Sequence, residues 1–443
     1  MRKLIAAIDL GTSKVVCIVG EQTEAGVKII AMNEAPARGI SRGEVVNIQS
    51  VLDSMLPVIR NVENAIGEKI KEVFVGIAGQ NIRCEQGTSH LTRSNPDEFI
   101  TSEEVENITA NMLVNSAKSG EEVIHAIPQS YNIDDFMGIT EPAGMIGKQI
   151  FSNFKLFIGK KSSAELRRNA VSRAHLNLKN LILDPLASAK AVLDEEEKEV
   201  GVALLDIGGG TTDLIIIQDN IVRHTAVIPF GGNIITEDIK QGCGVSLKIA
   251  EQLKVEHGSC MSSIAQDKKV RIHGVGGRED KQISLKMLAE IIESRVEEIL
   301  EAAMYEIEQS GYKEKINAGL VITGGTSQLS NIRRFANFVT GLDTRLAYPH
   351  KTFSEAESSI TKPSLSTAVG LVLIGAEKME KDGKGYSTTP IDFKPEEKGI
   401  EQKQEVKTQT EPATPVQEKP KKKSWRDIFN TIKSDDVFTD NEA

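Results

Sequence analysis

The sequence predicts an α/β protein of two similar halves followed by a non-globular segment, and three features of the chain carry that prediction. Short β-rich apolar runs alternate with longer amphipathic stretches as far as Ala376, the pattern of a layered α/β architecture. An aspartate leading into a glycine turn, flanked by apolar runs, occurs near the N-terminus and again roughly half a chain later. Such self-similarity marks a duplicated unit. Beyond Ala376 the composition shifts abruptly to Lys, Glu, Gln, Thr and Pro.

With 443 residues, 40% hydrophobic and 26% charged, the chain can build two or three domains with real cores. The formal net charge of -10 argues against nucleic acid as a partner, because nucleic-acid binders present a basic face to the phosphates. Cys17, Cys84, Cys243 and Cys260 lie far apart, with no C-x-x-C pair and no histidines at zinc-ligand spacing; a reduced, cytoplasmic chain fits them. The opening Met1-Arg2-Lys3-Leu4 starts like a signal peptide, but Asp9 interrupts the apolar run, so a first strand is the reading. No run approaches ~20 consecutive apolar residues, so any membrane contact is expected to be peripheral.

The first motif is Ile8-Asp9-Leu10-Gly11-Thr12-Ser13-Lys14, followed by Val15 to Val19. It reads as strand, tight polar turn, strand. Glycine lets backbone amides approach an anion, Thr12 and Ser13 add hydroxyl donors, and Lys14 adds positive charge. Alone, it fits an ordinary hairpin as well. Thr101 with Glu104, and Ser162 with Glu165, have capping-box spacing, so a helix is expected to start at each.

The second motif, Asp206-Ile207-Gly208-Gly209-Gly210-Thr211-Thr212 between two β-rich runs, repeats the plan. Two such hairpins predict one ligand held between two lobes. Asp9 and Asp206 occupy matching positions where strand meets turn, and a carboxylate there can hold Mg²⁺ through water beside phosphates. Leu285 to Gln309 carries Leu288, Ile292, Val296, Ile299, Ala303 and Ile307 at three-to-four spacing before Gly311, which predicts a long half-buried helix. A third turn, Gly324-Gly325-Thr326 after Leu320-Val321-Ile322-Thr323, leaves room for a flat base or ribose.

From Glu377 to Lys423 the chain holds almost no large apolar residues, and Pro390, Pro395, Pro412, Pro415 and Pro420 argue for a flexible linker. The tail then places Trp425, Ile428, Phe429 and Ile432 on one helical face behind Lys421-Lys422-Lys423. Such a peptide can lie at an anionic membrane surface or bind a partner.

Taken together, the three turns resemble the phosphate-1, phosphate-2 and adenosine motifs of the actin, sugar-kinase and heat-shock-chaperone superfamily. Leu183 to Ala189 and Ser366 to Leu371 resemble its two connecting helices. Within it the chain is most similar to the FtsA family, through Ser41-Arg42-Gly43, His125-Ala126-Ile127-Pro128-Gln129 with Tyr131, Arg223-His224-Thr225 with Ile228-Pro229, and Gly232-Asn233.

The resemblance implies an actin-like fold: two RNase-H-like domains around a cleft holding ATP and Mg²⁺, with a small α+β domain inserted in the first half. The expected layout is residues 1–83 and 160–193 for the first domain, closed by a helix near 364–376, 84–159 for an inserted interaction and polymerisation domain, and 194–363 for the second domain. Residues 377–423 are then the linker and 424–443 the membrane-targeting tail. Gly11 to Lys14 and Gly208 to Thr212 are implied as phosphate ligands, Asp9 and Asp206 as metal neighbours, and Gly324, Gly325 and Thr326 as adenosine contacts. Glu237, Lys240 and Arg295 correspond by looser analogy to base or ribose contacts. Asp184 corresponds to the region that positions the attacking water, although Asp184-Pro185 equally suits a helix start. Hydrolysis is expected to be weak at most.

By the same resemblance the chain polymerises head to tail at the cytoplasmic face of the cell membrane, at the division site. The partners it implies are the tubulin-like FtsZ and other division proteins. A pilus-assembly actin-like protein and a small-molecule kinase are the alternative readings.

Overall fold

The computed structural model describes residues 2–273, 276, 279–349, 361–382 and 389–390. Strands β1 (Leu4–Leu10), β2 (Lys14–Thr23) and β3 (Gly26–Pro36) form an antiparallel meander. A small hairpin, β4 (Ile40–Ser41) and β5 (Glu44–Val45), leads into α1 (Ile48–Ile66), and β6 (Glu68–Lys69) precedes β7 (Glu72–Ile77). β7 pairs in parallel with β1. β1 is buried along its whole length, because α1 and a late helix cover opposite faces of this sheet. A strand buried on both faces reads as one continuous apolar run, and Leu4-Ile5-Ala6-Ala7-Ile8 is such a run.

The chain then builds a separate four-stranded antiparallel sheet from β8 (Arg83–Thr92), β9 (Glu121–Ile133), β10 (Phe136–Ile139) and β11 (Gln149–Lys160). Helix α2 (Ser102–Asn115) packs on it over a core of its own. Thr101 and Glu104 form the predicted capping box of α2. The second predicted box is corrected: α3 (Lys161–Arg173) begins at the end of β11 without a side-chain cap. Its first amide, Lys161 N–H, donates to Gly120 O at 3.0 Å, so Ser162 falls inside the first turn and has no capping role.

β12 (Asn177–Leu183) completes the first sheet, in the order β12-β7-β1-β2-β3. After α4 (Asp184–Val192) and α5 (Glu195–Val200), the second half repeats the design with β13 (Val202–Ile207), β14 (Thr212–Gln218) and β15 (Ile221–Ile228). Helices α6 (Gly232–Cys243) and α7 (Leu247–His257), the ribbon β16 (Lys269–Ile272) with β17 (Lys281–Ser284), and α8 (Leu285–Gln309) follow. β18 (Leu320–Thr323), α9 (Ile332–Thr340) and β19 (Thr344–Leu346) close the sheet β15-β14-β13-β18-β19. Order and strand directions match the first sheet. Every apolar position predicted for α8, from Leu288 to Ile307, is buried.

One core joins the two sheets, with Ile5 and Ala7 of β1, Val202 and Leu204 of β13, and the facing surfaces of α4 and α10 (Ser366–Asp382). The helices touch backbone to backbone, since a Cβ on Gly370 would lie 1.7 Å from Ala187 O. α10 outruns its expected end at Ala376, because Met379 is buried at 5% exposure. The expected linker is thus corrected at its start: Glu377 to Asp382 is helix, and Thr389–Pro390 (β20) pairs with β6. The tail residues Trp425, Ile428, Phe429 and Ile432 lie outside the described residues. No described helix is long and apolar enough to cross a membrane.

Candidate functional site

The two glycine turns are built alike. Gly11 N–H donates to Lys14 O at 3.1 Å and Gly208 N–H to Thr211 O at 2.9 Å, each closing the turn between paired strands. They meet face to face: a Cβ on Gly209 would stand 1.9 Å from Ser13 Oγ, and one on Gly210 2.5 Å from Thr12 Oγ1. Only glycine permits this approach.

The third turn packs against the second. Gly324 has φ +90°, and a Cβ there would lie 2.4 Å from Asp206 Oδ1 and 2.5 Å from Ile207 O. Thr326 Oγ1 donates to Gly208 O at 2.9 Å. The start of α6 is tied to the same turn, with Gly232 N–H donating to Gly208 O at 2.9 Å and Asn233 N–H to Gly209 O at 2.7 Å.

These turns enclose a cavity of about 530 Å³. Asp9, Gly11 to Lys14, Asp184, Asp206, Gly208 to Thr211 and Gly324 to Thr326 all line it. Thr212 does not; it is fully buried and donates to Phe230 O at 2.8 Å, fixing the base of the turn. Lys14 Nζ reaches Glu34 at 2.6 Å and Ser364 Oγ at 3.1 Å.

The floor of the cavity concentrates carboxylates. Burial, opposed by Lys14 and reinforced by Asp206, raises the Asp9 carboxyl to about 6. Burial, and then Asp206, pushes Asp213 up to about 8. Asp184 is held well above the ordinary carboxylate range by burial and then by Asp9. Burial raises Asp206 too, while the Ser188 and Thr367 hydroxyls donate to its Oδ2 at 2.5 and 3.2 Å and pull the other way. Asp184 Oδ1 and Asp213 Oδ1 are buried without a hydrogen-bond partner among the described residues. Buried acceptors of this kind carry a desolvation cost unless a donor or cation meets them. Hard carboxylate oxygens beside a row of glycine amides suit a divalent cation that carries phosphate.

The opposite end of the cavity is set by α7. Lys254, 8% exposed, donates to Gly232 O at 2.9 Å and Thr236 Oγ1 at 2.7 Å, and pairs with Glu251 at 2.8 Å. Its three protons are thereby satisfied. Glu251, Lys254, Val255 and Leu329 line this end.

Glu237, Lys240 and Arg295 do not line the cavity. Glu237 and Lys240 pair with each other at 2.8 Å, and Arg295 binds Asp238 at 2.6 Å as well as Glu298. Their charges are spent along the helix surfaces of α6 and α8. Sequence reasoning missed Asp213, Glu251 and Lys254. Asp213 follows the glycine turn directly and is readable as a second acid beside Asp206, whereas α7 offers no turn motif to announce its charges.

Comparison with known proteins places the chain. The family model described as "Cell division protein FtsA" matches residues 203–370, and that described as "SHS2 domain inserted in FTSA" matches residues 79–158. The cell division protein FtsA of Pseudomonas aeruginosa is 33% identical over 397 residues, covering 89% of this chain and 94% of that protein. That of Escherichia coli K12 is 34% identical over 385 residues, covering 85% and 91%. Among solved structures, the PilM-PilN type IV pilus biogenesis complex aligns with TM-score 0.59 at 14% identity, covering 84% of this chain and 98% of that one. MreB5 of Spiroplasma citri bound to ADP aligns with TM-score 0.52 at 16% identity, covering 86% and 97%. These two establish an actin-like fold and nothing finer. Identity of a third along most of both chains, with the inserted domain in its place, shows that this chain belongs to the FtsA family of cell division proteins.

Proposed function

We propose that the cleft binds ATP with Mg²⁺ and that the bound nucleotide sets how the two lobes meet. The observation that carries this reading is the juxtaposition of Gly209 with Ser13 and of Gly210 with Thr12. Amides and hydroxyls from both lobes thereby converge on one small volume. A triphosphate there is grasped by both lobes at once, so its presence favours the closed arrangement by the difference in binding between the two states. Asp9 and Asp206 would hold Mg²⁺ through water, and the ion would neutralise charge on the phosphates. Lys14 adds a fixed positive charge at the first turn. Glu251, held in place by Lys254, presents an acceptor to the ribose end.

Asp184 lines the cavity, yet it is also the first residue of α4, directly before Pro185, so a role at the helix start accounts for it as well as one beside the attacking water. ATP serves chiefly as a conformational clamp, with slow hydrolysis at most. The closed protomers assemble head to tail, and the filament links the tubulin-like FtsZ polymer to the cytoplasmic face of the membrane. Membrane attachment rests on the sequence of the tail, where Trp425, Ile428, Phe429 and Ile432 share a helical face. One such helix binds lipid marginally, and a filament carrying many copies binds far better because later attachments are intramolecular.

Electron microscopy of the purified chain on a lipid monolayer tests the reading. Filaments on lipid are expected with ATP and Mg²⁺ and are expected to be lost without nucleotide. Absence of any ATP binding by calorimetry would overturn it.

A further inference from the structure

Arg167 on α3 is 1% exposed and heads the largest fully buried side chains among the described residues. Its Nη1 donates to Gly76 O at 2.8 Å, and its Nη2 donates to Gly43 O and, at 3.4 Å, to Ala78 O. All three acceptors are backbone carbonyls. A buried guanidinium is costly to desolvate, and here its fork is used to hold the β4–β5 hairpin against the end of β7.

The hairpin tip is shaped for that contact. Gly43 has φ +75°, and a Cβ on it would lie 3.2 Å from Ala78 C and from Gly79 N. With its carbonyl held by Arg167, Gly43 points its N–H at Thr12 Oγ1, 3.0 Å away. Thr12 is in turn the residue whose side chain abuts Gly210 of the other lobe. A threonine hydroxyl that accepts from Gly43 keeps its own proton free to donate into the cleft.

We propose that Arg167 is a positioning residue for the phosphate turns: acting through Gly43, it fixes the Thr12 hydroxyl at the point where the two lobes meet. This rests on the reading that the cleft takes ATP. Arg167 does not line the cavity, whereas Gly43, through which it acts, does. The neighbouring Arg168 faces the other way and pairs with Glu122 of the inserted sheet at 2.9 Å, so α3 is braced on both sides.

A double-mutant cycle on the full chain tests the inference, with ATP affinity measured by calorimetry for the wild type, Arg167→Met, Thr12→Ala and the double variant. Arg167→Met is expected to weaken ATP binding by roughly tenfold or more, the scale of a lost charge-assisted hydrogen bond. In the Thr12→Ala background the same change is expected to cost less than about threefold, because the pathway is already cut. Arg167→Lys keeps the charge and one carbonyl contact and is expected to fall between. Unchanged affinity in Arg167→Met, or full additivity with Thr12→Ala, overturns the proposal. If Arg167→Met does not fold, the same cycle is run with Arg167→Lys and the same criteria apply. Failure of the wild type to bind ATP would instead bring down the proposed function itself.

Discussion

Gly209 of the second lobe and Ser13 of the first stand so close that a single methyl group on Gly209 would lie 1.9 Å from Ser13 Oγ. The gap between the lobes at this point is thus the width of a glycine backbone. Gly209→Val is expected to wedge the turns apart while leaving the sheets and the α4–α10 core intact. Binding of ATP should then show no saturation up to about 1 mM, with an unchanged far-ultraviolet circular dichroism spectrum. Retained affinity would show that the two turns do not grip one ligand.

Asp213 gives the protein a pH signature. Its carboxyl is raised to about 8 by burial and by Asp206, whereas an unfolded aspartate titrates near ~3.9. The native state therefore holds a proton that the unfolded state has released, and stability must fall as pH rises through that interval. Metal-free protein is expected to melt at progressively lower temperature between about pH 5 and pH 8, and Asp213→Asn is expected to flatten the trend. Thermal scans across that range, with and without Mg²⁺ and ATP, check it; an equal slope in wild type and variant would refute the assignment.

The α7 end of the cavity separates the charges that line it from those that do not. Glu251→Gln is expected to weaken ATP binding roughly tenfold and to narrow the preference for ATP over dATP. Lys254→Met leaves Gly232 O and Thr236 Oγ1 without their donor and should cost stability of about 1–3 kcal/mol as well, measured by urea unfolding. Lys240→Ala, whose partner Glu237 sits beside it on α6, is expected to leave ATP affinity unchanged.

Deletion of Ser424 to Ala443 removes Trp425, Ile428, Phe429 and Ile432. Sedimentation with vesicles rich in anionic lipid is expected to disappear, and ATP affinity to stay the same. A truncated chain that still pellets with vesicles would place membrane binding elsewhere.

Much of the fold was readable because it is written locally. Leu4-Ile5-Ala6-Ala7-Ile8 has the unbroken apolar run of a doubly covered strand, and α8 keeps its three-to-four spacing from Leu288 to Ile307. Ser162 misled because a capping box can be satisfied by tertiary partners, here Gly120 O. Ala376 misled because Met379 lies one further turn along α10, where a single buried side chain outweighs the polar composition around it.

The sequence by itself determined the two glycine turns, their aspartates and the duplication, since glycine's conformational freedom and strand periodicity act within a few residues. Only the tertiary structure decided which charges face the cleft. Lys254 is buried between α6 and α7 while Lys240 stays on a helix surface, and Arg167 reaches backbone carbonyls far from it in the chain. Whether a cation is solvated or enclosed depends on what packs around it, and that is fixed only when distant segments meet.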